Sequence, residues 1–351
     1  MKRCSQCIMP ESIPGITFNK DGVCNFCADY QPQNYFGHEA LDEVLSTIKN
    51  HKNKYDCIVP LSGGRDSSYV LYFARAILGL KVMAVNYDNE FRVDQALVNM
   101  ETACKILDVD FVSYRSKRNI AHKIVLTGIR RVLPFGLNAI RKSLCSACVY
   151  GYRSVAYRAA LKHNVPLIIW GETKNEATQD IEERTTQAFS TLMRRRLLHS
   201  DTYKVRYYKM LQRLEFSVPG NSLFSLSPVR FNNPDIKEIR LFDFIPWERK
   251  KIKQTLTKEL FWEKPSDHIS TWRIDCRLHP LMNYCFIKLL SCSKDCFGYC
   301  NMINSGQMSR DEALNQEELT LRINDKSLRD LLETEIGLPT NQANTIMGPS
   351  Y

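Results

Sequence analysis

Ser62-Gly63-Gly64-Arg65-Asp66-Ser67 lies between a short apolar run and a stretch of helical character, a placement suited to gripping phosphate. A strand that ends in Ser-Gly-Gly and feeds a helix turns backbone N–H groups and a helix N-terminus toward phosphate oxygens. The glycines let the backbone approach closely. Ser62 and Ser67 add hydroxyl donors, Arg65 a cation, and Asp66 either a Mg²⁺ contact or an N-cap for the helix that follows. The loop is not a Walker A motif, whose spaced glycines and terminal Lys-Ser/Thr are missing. An ordinary Gly-Gly turn with a serine cap is the alternative, and the position between strand and helix favours the phosphate reading.

The second chemical signal is sulfur, in thirteen cysteines. Cys4, Cys7, Cys24 and Cys27 form two Cys-x-x-Cys knuckles, with Pro14-Gly15 and Asp21-Gly22 as turn material between them. Four thiolates so placed make a tetrahedral Zn²⁺ site, and they leave no open position for catalysis. So short a head cannot bury a core, which makes metal the source of its folding free energy. A redox pair or disulfides would be the alternative, disfavoured in a reducing compartment. Cys292, Cys296 and Cys300 recur at four-residue spacing, which would align them on one helix face near Cys285. Packing of small apolar side chains accounts for them, and Gly298 weakens the helix. His268 and His279 stand singly and read as structural.

Elements must hold these groups in place. Tyr55 to Leu61 reads as a buried parallel strand, followed by a helix from Ser67 to Leu78, a strand at Lys81 to Tyr87, a helix at Val93 to Leu107 and a strand at Asp110 to Ser113. A helix at Tyr152 to His163 and a strand at Val165 to Trp170 continue the alternation. The economical architecture is an α/β fold with a doubly wound parallel sheet. Leu41 to Lys54 has the spacing of an amphipathic helix, and helical patterns recur at Glu248 to Leu260, Pro280 to Leu290 and Ser309 to Asn315, the last with a serine cap. Three segments follow: a zinc-binding head over 1–30, a nucleotide-binding α/β domain over 41–180, and an insertion with a helical substrate or metal region over 181–351.

Composition is that of a globular protein, with 44% hydrophobic and 25% charged residues, so disorder is confined to the ends. No apolar run is long enough to span a bilayer and the start lacks a signal peptide's apolar stretch, which points to the cytoplasm. A net charge of +10 favours an anionic partner, a nucleotide, nucleotide-sugar or RNA. Arg194-Arg195-Arg196 with Lys204, Arg206 and Lys209 is the densest basic patch, equally readable as a solvated helix face.

The Ser62–Ser67 stretch resembles the Ser-x-Gly-Gly-x-Asp-Ser signature of the PP-loop ATP pyrophosphatases, with the glycine pair displaced by one place. That resemblance implies a HUP-like fold and use of ATP with Mg²⁺ to adenylate a carbonyl or carboxyl oxygen, with pyrophosphate released. A nitrogen or sulfur nucleophile then displaces AMP. It also implies adenine contacts at the end of the second strand, at Val85, Asn86 and Tyr87, and a site closed by Gly171 and Glu172 after a later strand. Arg65 and Lys174 are then phosphate contacts, Asp66 the metal contact, and Glu172 a base or ribose contact.

The head itself, with Met9-Pro10, Pro14-Gly15-Ile16-Thr17-Phe18 and Gly22-Val23-Cys24-Asn25-Phe26-Cys27, resembles the start of the bacterial N-acetyl sugar amidotransferase family. Tyr55-Asp56-Cys57-Ile58-Val59-Pro60 and Gly306-Gln307-Met308-Ser309-Arg310-Asp311-Glu312-Ala313 extend the likeness over most of the chain. It implies polysaccharide biosynthesis, in which a sugar precursor gains an amide or amidine from ammonia supplied by a separate glutaminase. Cys145-Ser146-Ala147-Cys148, placed before a helix, departs from that pattern. It is similar instead to the PP-loop enzymes that thiolate tRNA, whose Cys-x-x-Cys and a third cysteine, here Cys276, hold a [4Fe–4S] cluster beside the nucleotide. Three thiolates would leave one iron open to a sulfur ligand. Zinc or free thiols at Cys145, Cys148 and Cys276 stay open, as do a sulfur donor protein as partner and the oligomeric state, a homodimer included.

Overall fold

The computed structural model describes residues 1–48, 53–173, 200–216, 235–266, 268, 271 and 273–349. Short apolar runs at Cys57–Pro60 (β1), Val82–Asp88 (β2) and Leu167–Trp170 (β4) are buried on both faces, as strands in the middle of a parallel sheet must be. Asp110–Arg115 (β3) and Lys237–Arg240 (β5) form the edges. The order is β3-β2-β1-β4-β5 and every pairing is parallel. The winding reverses between β1 and β4, so the loops leaving their carboxyl ends part and open a crevice there, the expected position for a ligand. The fold is the doubly wound α/β sheet anticipated.

Alternation along each strand divides the core. Ile58, Met83, Val85 and Ile168 face α7 (Ser146–His163), whose Ala156, Ala159 and Ala160 bring the helix close. Cys57, Val59, Ala84, Leu167 and Ile169 face the other way, among Val70 and Leu71 of α3 (Arg65–Tyr72) and Met100 and Ala103 of α4 (Asp94–Leu107). α4 and α7 each end on an Asx residue in the left-handed region, Asp108 and Asn164, both at φ 51°. Asp and Asn tolerate that conformation better than other residues with a Cβ.

Several boundaries differ from expectation. The amphipathic helix between head and sheet, α2, spans Gly37–Ser46 and so starts earlier and stops sooner. α3 opens at Arg65 and runs into a π-helical turn at Phe73–Ile77. α7 begins at Ser146, which puts Cys145 at its N-cap and Cys148 in its first turn rather than ahead of it. Residues 117–144 fold as a hairpin of α5 (Ile120–Val132) and α6 (Leu137–Leu144). Of the segment anticipated as an insertion, Ser200–Glu215 is a helix, α8, packed along α5. Arg194-Arg195-Arg196 lie outside the described residues. β5 belongs to that third segment, yet it completes the sheet.

The tail is helical at Leu241–Phe244, Arg249–Leu260, His279–Leu290, Asp295–Asn304, Arg310–Leu321, Asp325–Asp330 and Thr340–Met347. Ser309 caps its helix as its sequence predicts, its side chain accepting from the Glu312 N–H. No described helix is long and apolar enough to cross a membrane.

Candidate nucleotide and metal sites

Gly63 is the pivot of the candidate nucleotide loop. Its φ is +79°, a region L side chains rarely adopt, and a Cβ there would lie 2.1 Å from the Ala96 carbonyl oxygen. The chain passes that close because the Gly63 carbonyl is held from two sides, by the Trp262 indole N–H at 3.0 Å and the Asn99 amide at 3.3 Å. The loop then ties to itself. Ser62 N–H donates to Ser67 Oγ at 3.2 Å, Gly64 N–H donates to Ser62 Oγ at 3.2 Å, and Ser67 Oγ donates to the Gly64 carbonyl at 3.2 Å. Gly64 is the N-cap of α3 and makes no side-chain cap bond. The first N–H groups of α3 therefore have no acceptor within the helix, and a helix N-terminus so left is an end that suits an anion.

Arg65 and Asp66 pair with each other. Both are buried, and Arg65 Nε and a terminal nitrogen grip the two Asp66 oxygens at 2.8 and 3.0 Å. Arg65 also donates to Thr271 Oγ1 at 3.0 Å and lies 4.8 Å from the Trp247 ring, while the Trp247 indole N–H donates to Asp66 at 3.0 Å. Asp66 is thus the second residue of α3 and not its N-cap. The pair fastens the loop to Trp247 and to the segment around Thr271. That segment brings another carboxylate to the loop: Asp275 Oδ2 lies 3.6 Å from where a Cβ on Gly64 would be. Asp275 was not singled out from sequence, and neither were Trp262 and Asn99.

Asn86 and Tyr87 end β2 on opposite faces. Asn86 adjoins the loop, donating to the Leu61 carbonyl at 2.8 Å and accepting from Ser113 Oγ at 2.9 Å and Arg92 at 3.2 Å. Tyr87 turns away, its hydroxyl bonded to Ser116 at 3.0 Å and Gln212 at 2.7 Å, its ring filling the space over Gly151. Gly171 packs against the loop, since a Cβ there would lie 3.1 Å from the Ser67 nitrogen. Glu172 is held by Arg153 at 2.9 Å and Tyr152 at 3.3 Å. Lys174 lies outside the described residues.

Beyond β2 the chain places Asn89 between two sulfurs, its amide nitrogen 3.7 Å from both Cys148 and Cys276. Cys276 reaches that position because residues 275–277 lie antiparallel to 91–93, with a bridge from Arg92 to Cys276 and a bond from Arg277 N–H to the Phe91 carbonyl at 2.8 Å. Desolvation pushes the Cys276 thiol up to about 12 and raises the Cys148 thiol as well, and each is raised further by neighbouring groups that include Cys145. Burial that keeps thiols protonated suits a site where a cation would displace the protons. Cys145 is exposed. The three sulfurs are near one another without forming a closed ligand set: among the described residues, the group that could hold a metal is Cys4, Cys7, Cys24 and Cys27.

Those four do converge. Their sulfurs all lie within 4.8 Å of one another, and Cys4–Cys27 and Cys7–Cys24 are each 3.9 Å apart. Tetrahedral ligands about 2.3 Å from zinc would be separated by roughly 3.8 Å. Backbone N–H groups of Cys24 and Cys7 point at Cys4 Sγ, at 3.2 and 3.4 Å, and that of Met9 at Cys7 Sγ at 3.4 Å, as donors that favour thiolate. Hydrogen bonds from Cys27 and Cys7 hold Cys24 well below the usual thiol range, while the bond to Cys24 raises both Cys7 and Cys27. The donor set fits a metal ion in a structural role. Cys296 and Cys300 lie on the Asp295–Asn304 helix, but Cys292 precedes it, so the anticipated single helix face is not formed. All three are buried.

No protein-family profile matches the chain. Over 115 residues it is 28% identical to the uncharacterized protein MJ1599 of Methanocaldococcus jannaschii, a match covering 31% of this chain and 41% of that protein, less than half its length. Among solved structures it is similar to the U34-tRNA thiolase NcsA from Methanococcus maripaludis with its [4Fe–4S] cluster, at 13% identity and TM-score 0.37 over 92% of this chain and 90% of that one. It is similar to NMN synthetase from Francisella tularensis at 11% identity and TM-score 0.39, over 86% and 94% of the two chains. Likeness to the NH₃-dependent NAD synthetase from Campylobacter jejuni is looser, at 15% identity and TM-score 0.28 over 66% and 96%.

Proposed function

We propose that the chain is an ATP-using enzyme that adenylates a substrate oxygen with release of pyrophosphate and then transfers nitrogen, giving an amide or amidine on a sugar precursor. The observation that carries the first half is Gly63: a backbone pinned against α4 and Trp262 at a φ other residues avoid, with serine hydroxyls and the start of α3 beside it. Such a loop presents fixed donors where a leaving pyrophosphate gathers charge. ATP would lie across these donors, and Mg²⁺, held by Asp275, would neutralise phosphate charge. Arg65 and Asp66 act from below by keeping the loop in place. The substrate oxygen attacks the α-phosphorus as the bond to pyrophosphate breaks, and ammonia from a separate glutaminase then displaces AMP. The nitrogen-transfer half rests on the sequence resemblance that runs from the head to Ala313.

A second reading, sulfur transfer to a tRNA base or small nucleotide, is favoured by one arrangement: Cys148 and Cys276 at 3.7 Å from Asn89, with Cys145 at the adjoining N-cap. Three cysteines at the mouth of the crevice have no task in nitrogen transfer. A [4Fe–4S] cluster held there would supply an iron able to carry sulfide. Pyrophosphate release assayed with nucleotide-sugar plus ammonium against tRNA plus sulfide decides between the two. Metal analysis of protein purified without oxygen adds a second measure. Zinc near one equivalent with no iron, unchanged in a Cys145→Ala, Cys148→Ala variant, sinks the cluster. About four irons lost in that variant would make sulfur transfer the function.

A further inference from the structure

Between the cysteine head and α2 the chain runs as a strap, residues 31–36, that forms neither helix nor strand. The strap is pinned to the short Leu241–Phe244 helix. Gln33 Nε2 donates to the Phe242 carbonyl at 2.7 Å, the Phe36 N–H donates to the Asp243 carbonyl at 2.9 Å, and the Phe36 and Phe244 rings lie 5.3 Å apart. Pinned in this way it leaves a cavity of about 270 Å³, lined by Tyr30, Gln33 and Tyr35 from the head and strap and by Trp247, Asn304 and Gln307 from the body. Three rings thus stand beside three carboxamides, and among the described residues no charged side chain lines the space. Desolvation raises the Tyr30 hydroxyl, Tyr35 adds to this and a bond with Ser305 opposes it, so the phenol side is neutral too. Two of the amides are spent at one end only. Gln33 gives its nitrogen to Phe242 and keeps its oxygen, whereas Gln307 accepts the Arg249 N–H at 3.1 Å on its oxygen and keeps its nitrogen. Those remaining ends have no hydrogen bond among the described residues, which leaves the lining an acceptor and a donor.

Tyr35 is 37% exposed and Trp247 1%, so the cavity runs inward from solvent to the indole that donates to Asp66 at 3.0 Å. Volume and chemistry narrow its occupant. Small-molecule sites measure about 300–1,000 Å³, and a space at the lower bound of that range has room for one ring unit. A phosphorylated ligand would bury charge that this lining does not pair. A hydrocarbon ring would leave the Gln33 oxygen and the Gln307 nitrogen unsatisfied. A sugar ring answers both, because its hydroxyls donate and accept while its C–H face lies against an aromatic ring. We propose that this cavity is a binding site for a neutral monosaccharide ring, stacked on Tyr35 with hydroxyls bonded to Gln33 and Gln307. The site stands apart from the candidate nucleotide loop and its occupancy needs no turnover there.

Calorimetric titration with glucose, galactose and N-acetylglucosamine, each beside a phosphorylated form, tests it. At least one neutral sugar is expected to bind with a Kd of about 1 mM or below, and its phosphorylated form about tenfold or more weakly. Tyr35→Ala should weaken the neutral sugar by about tenfold, and Tyr35→Phe should restore it, since the ring does the stacking. Gln307→Glu keeps the acceptor for the Arg249 N–H while removing the donor, so it should weaken the sugar to a similar extent at an unchanged urea midpoint. Binding of none of the three sugars, tighter binding of the phosphorylated forms, or wild-type affinity in both Tyr35→Ala and Gln307→Glu would each overturn the proposal. Protein that binds the sugar in this way and no ATP would instead overturn the adenylation reading and leave the cavity assigned.

Discussion

Single residues bear most of the loop's geometry. Gly63→Ala places a methyl 2.1 Å from the Ala96 carbonyl at a positive φ, so the loop must shift. The left-handed backbone alone adds about 1–2 kcal/mol, and ATP binding measured by calorimetry should fall below detection while the sheet stays folded. Asp66→Asn acts by another route. It removes the carboxylate that two Arg65 nitrogens grip, and one-sided loss of such a buried pair removes up to about 3–5 kcal/mol, seen as a lower urea midpoint; an Arg65→Met, Asp66→Leu double variant should recover part of it. Away from the loop, Glu317 is buried and raised to about 8, burial first and Cys296 next, with hydrogen bonds from the Ser293 hydroxyl and N–H, and then Arg3 at 4.0 Å, offsetting only part of that. Its folded pKa lies above its unfolded value, so the folded protein holds an extra proton in between. That contribution is fully present below pH about 4.5 and is lost as pH rises through about 8. Unfolding free energy should fall by up to about 1.4 kcal/mol per pH unit in this window, and Glu317→Gln should flatten that slope in denaturant titrations at several pH values.

Elements explain why some of this was legible in the sequence and some was not. β1, β2 and β4 are buried on both faces and read as apolar runs, and the glycine pair after β1 marked a turn between strand and helix, open to a phosphate-loop reading and to a plain serine-capped turn. β5 is Lys-Glu-Ile-Arg with only Ile239 buried, an edge strand whose composition carries no strand signal. The supports of Gly63 were equally silent, because Asn99 is one polar residue within α4 and Trp262 belongs to a distant turn; only the fold brings them to one carbonyl. Cys276 was chosen by analogy and does arrive beside Cys148, through an antiparallel contact that no local pattern announces. α7 offers a test of element packing. Gly151 is unfavourable in a helix interior by about 0.8–1.0 kcal/mol relative to Ala, yet a Cβ there would lie 2.1 Å from the Tyr87 ring. Gly151→Ala should therefore lower stability by about 1–3 kcal/mol, and adding Tyr87→Leu should reverse the sign so that the helix preference shows.

At the scale of the whole molecule, the cysteine head is a part of the main body's packing as well as a candidate metal site. Arg310 donates to the Cys7 and Cys4 carbonyls at 3.0 and 3.1 Å, Gln6 bonds Asn304 at 2.9 Å, and Ile8, Met9 and Ile13 join the buried cluster that includes Phe297, Tyr299 and Met302. The opposite face of the sheet is a separate cluster, Ile58, Val85 and Ile168 with α7, and it shares none of these residues. Structural zinc in small cysteine sites supplies about 10–16 kcal/mol of apparent binding free energy, as much as the about 5–15 kcal/mol that stabilises an ordinary domain. Removing metal should then release the head and uncover the helices it covers, while the α7 face of the sheet keeps its own core. Hydrogen exchange after chelation is expected to show lost protection over residues 1–30 and over the Asp295–Asn304 and Arg310–Leu321 helices, with β1, β2 and β4 still protected, and Cys24→Ser should reproduce the pattern. Uniform loss of protection through the sheet would mean that the two clusters fold as one cooperative unit and that metal governs the nucleotide loop directly. Protection unchanged everywhere would remove the head from the stability of the molecule, leaving Arg310 and the apolar contacts sufficient to hold it.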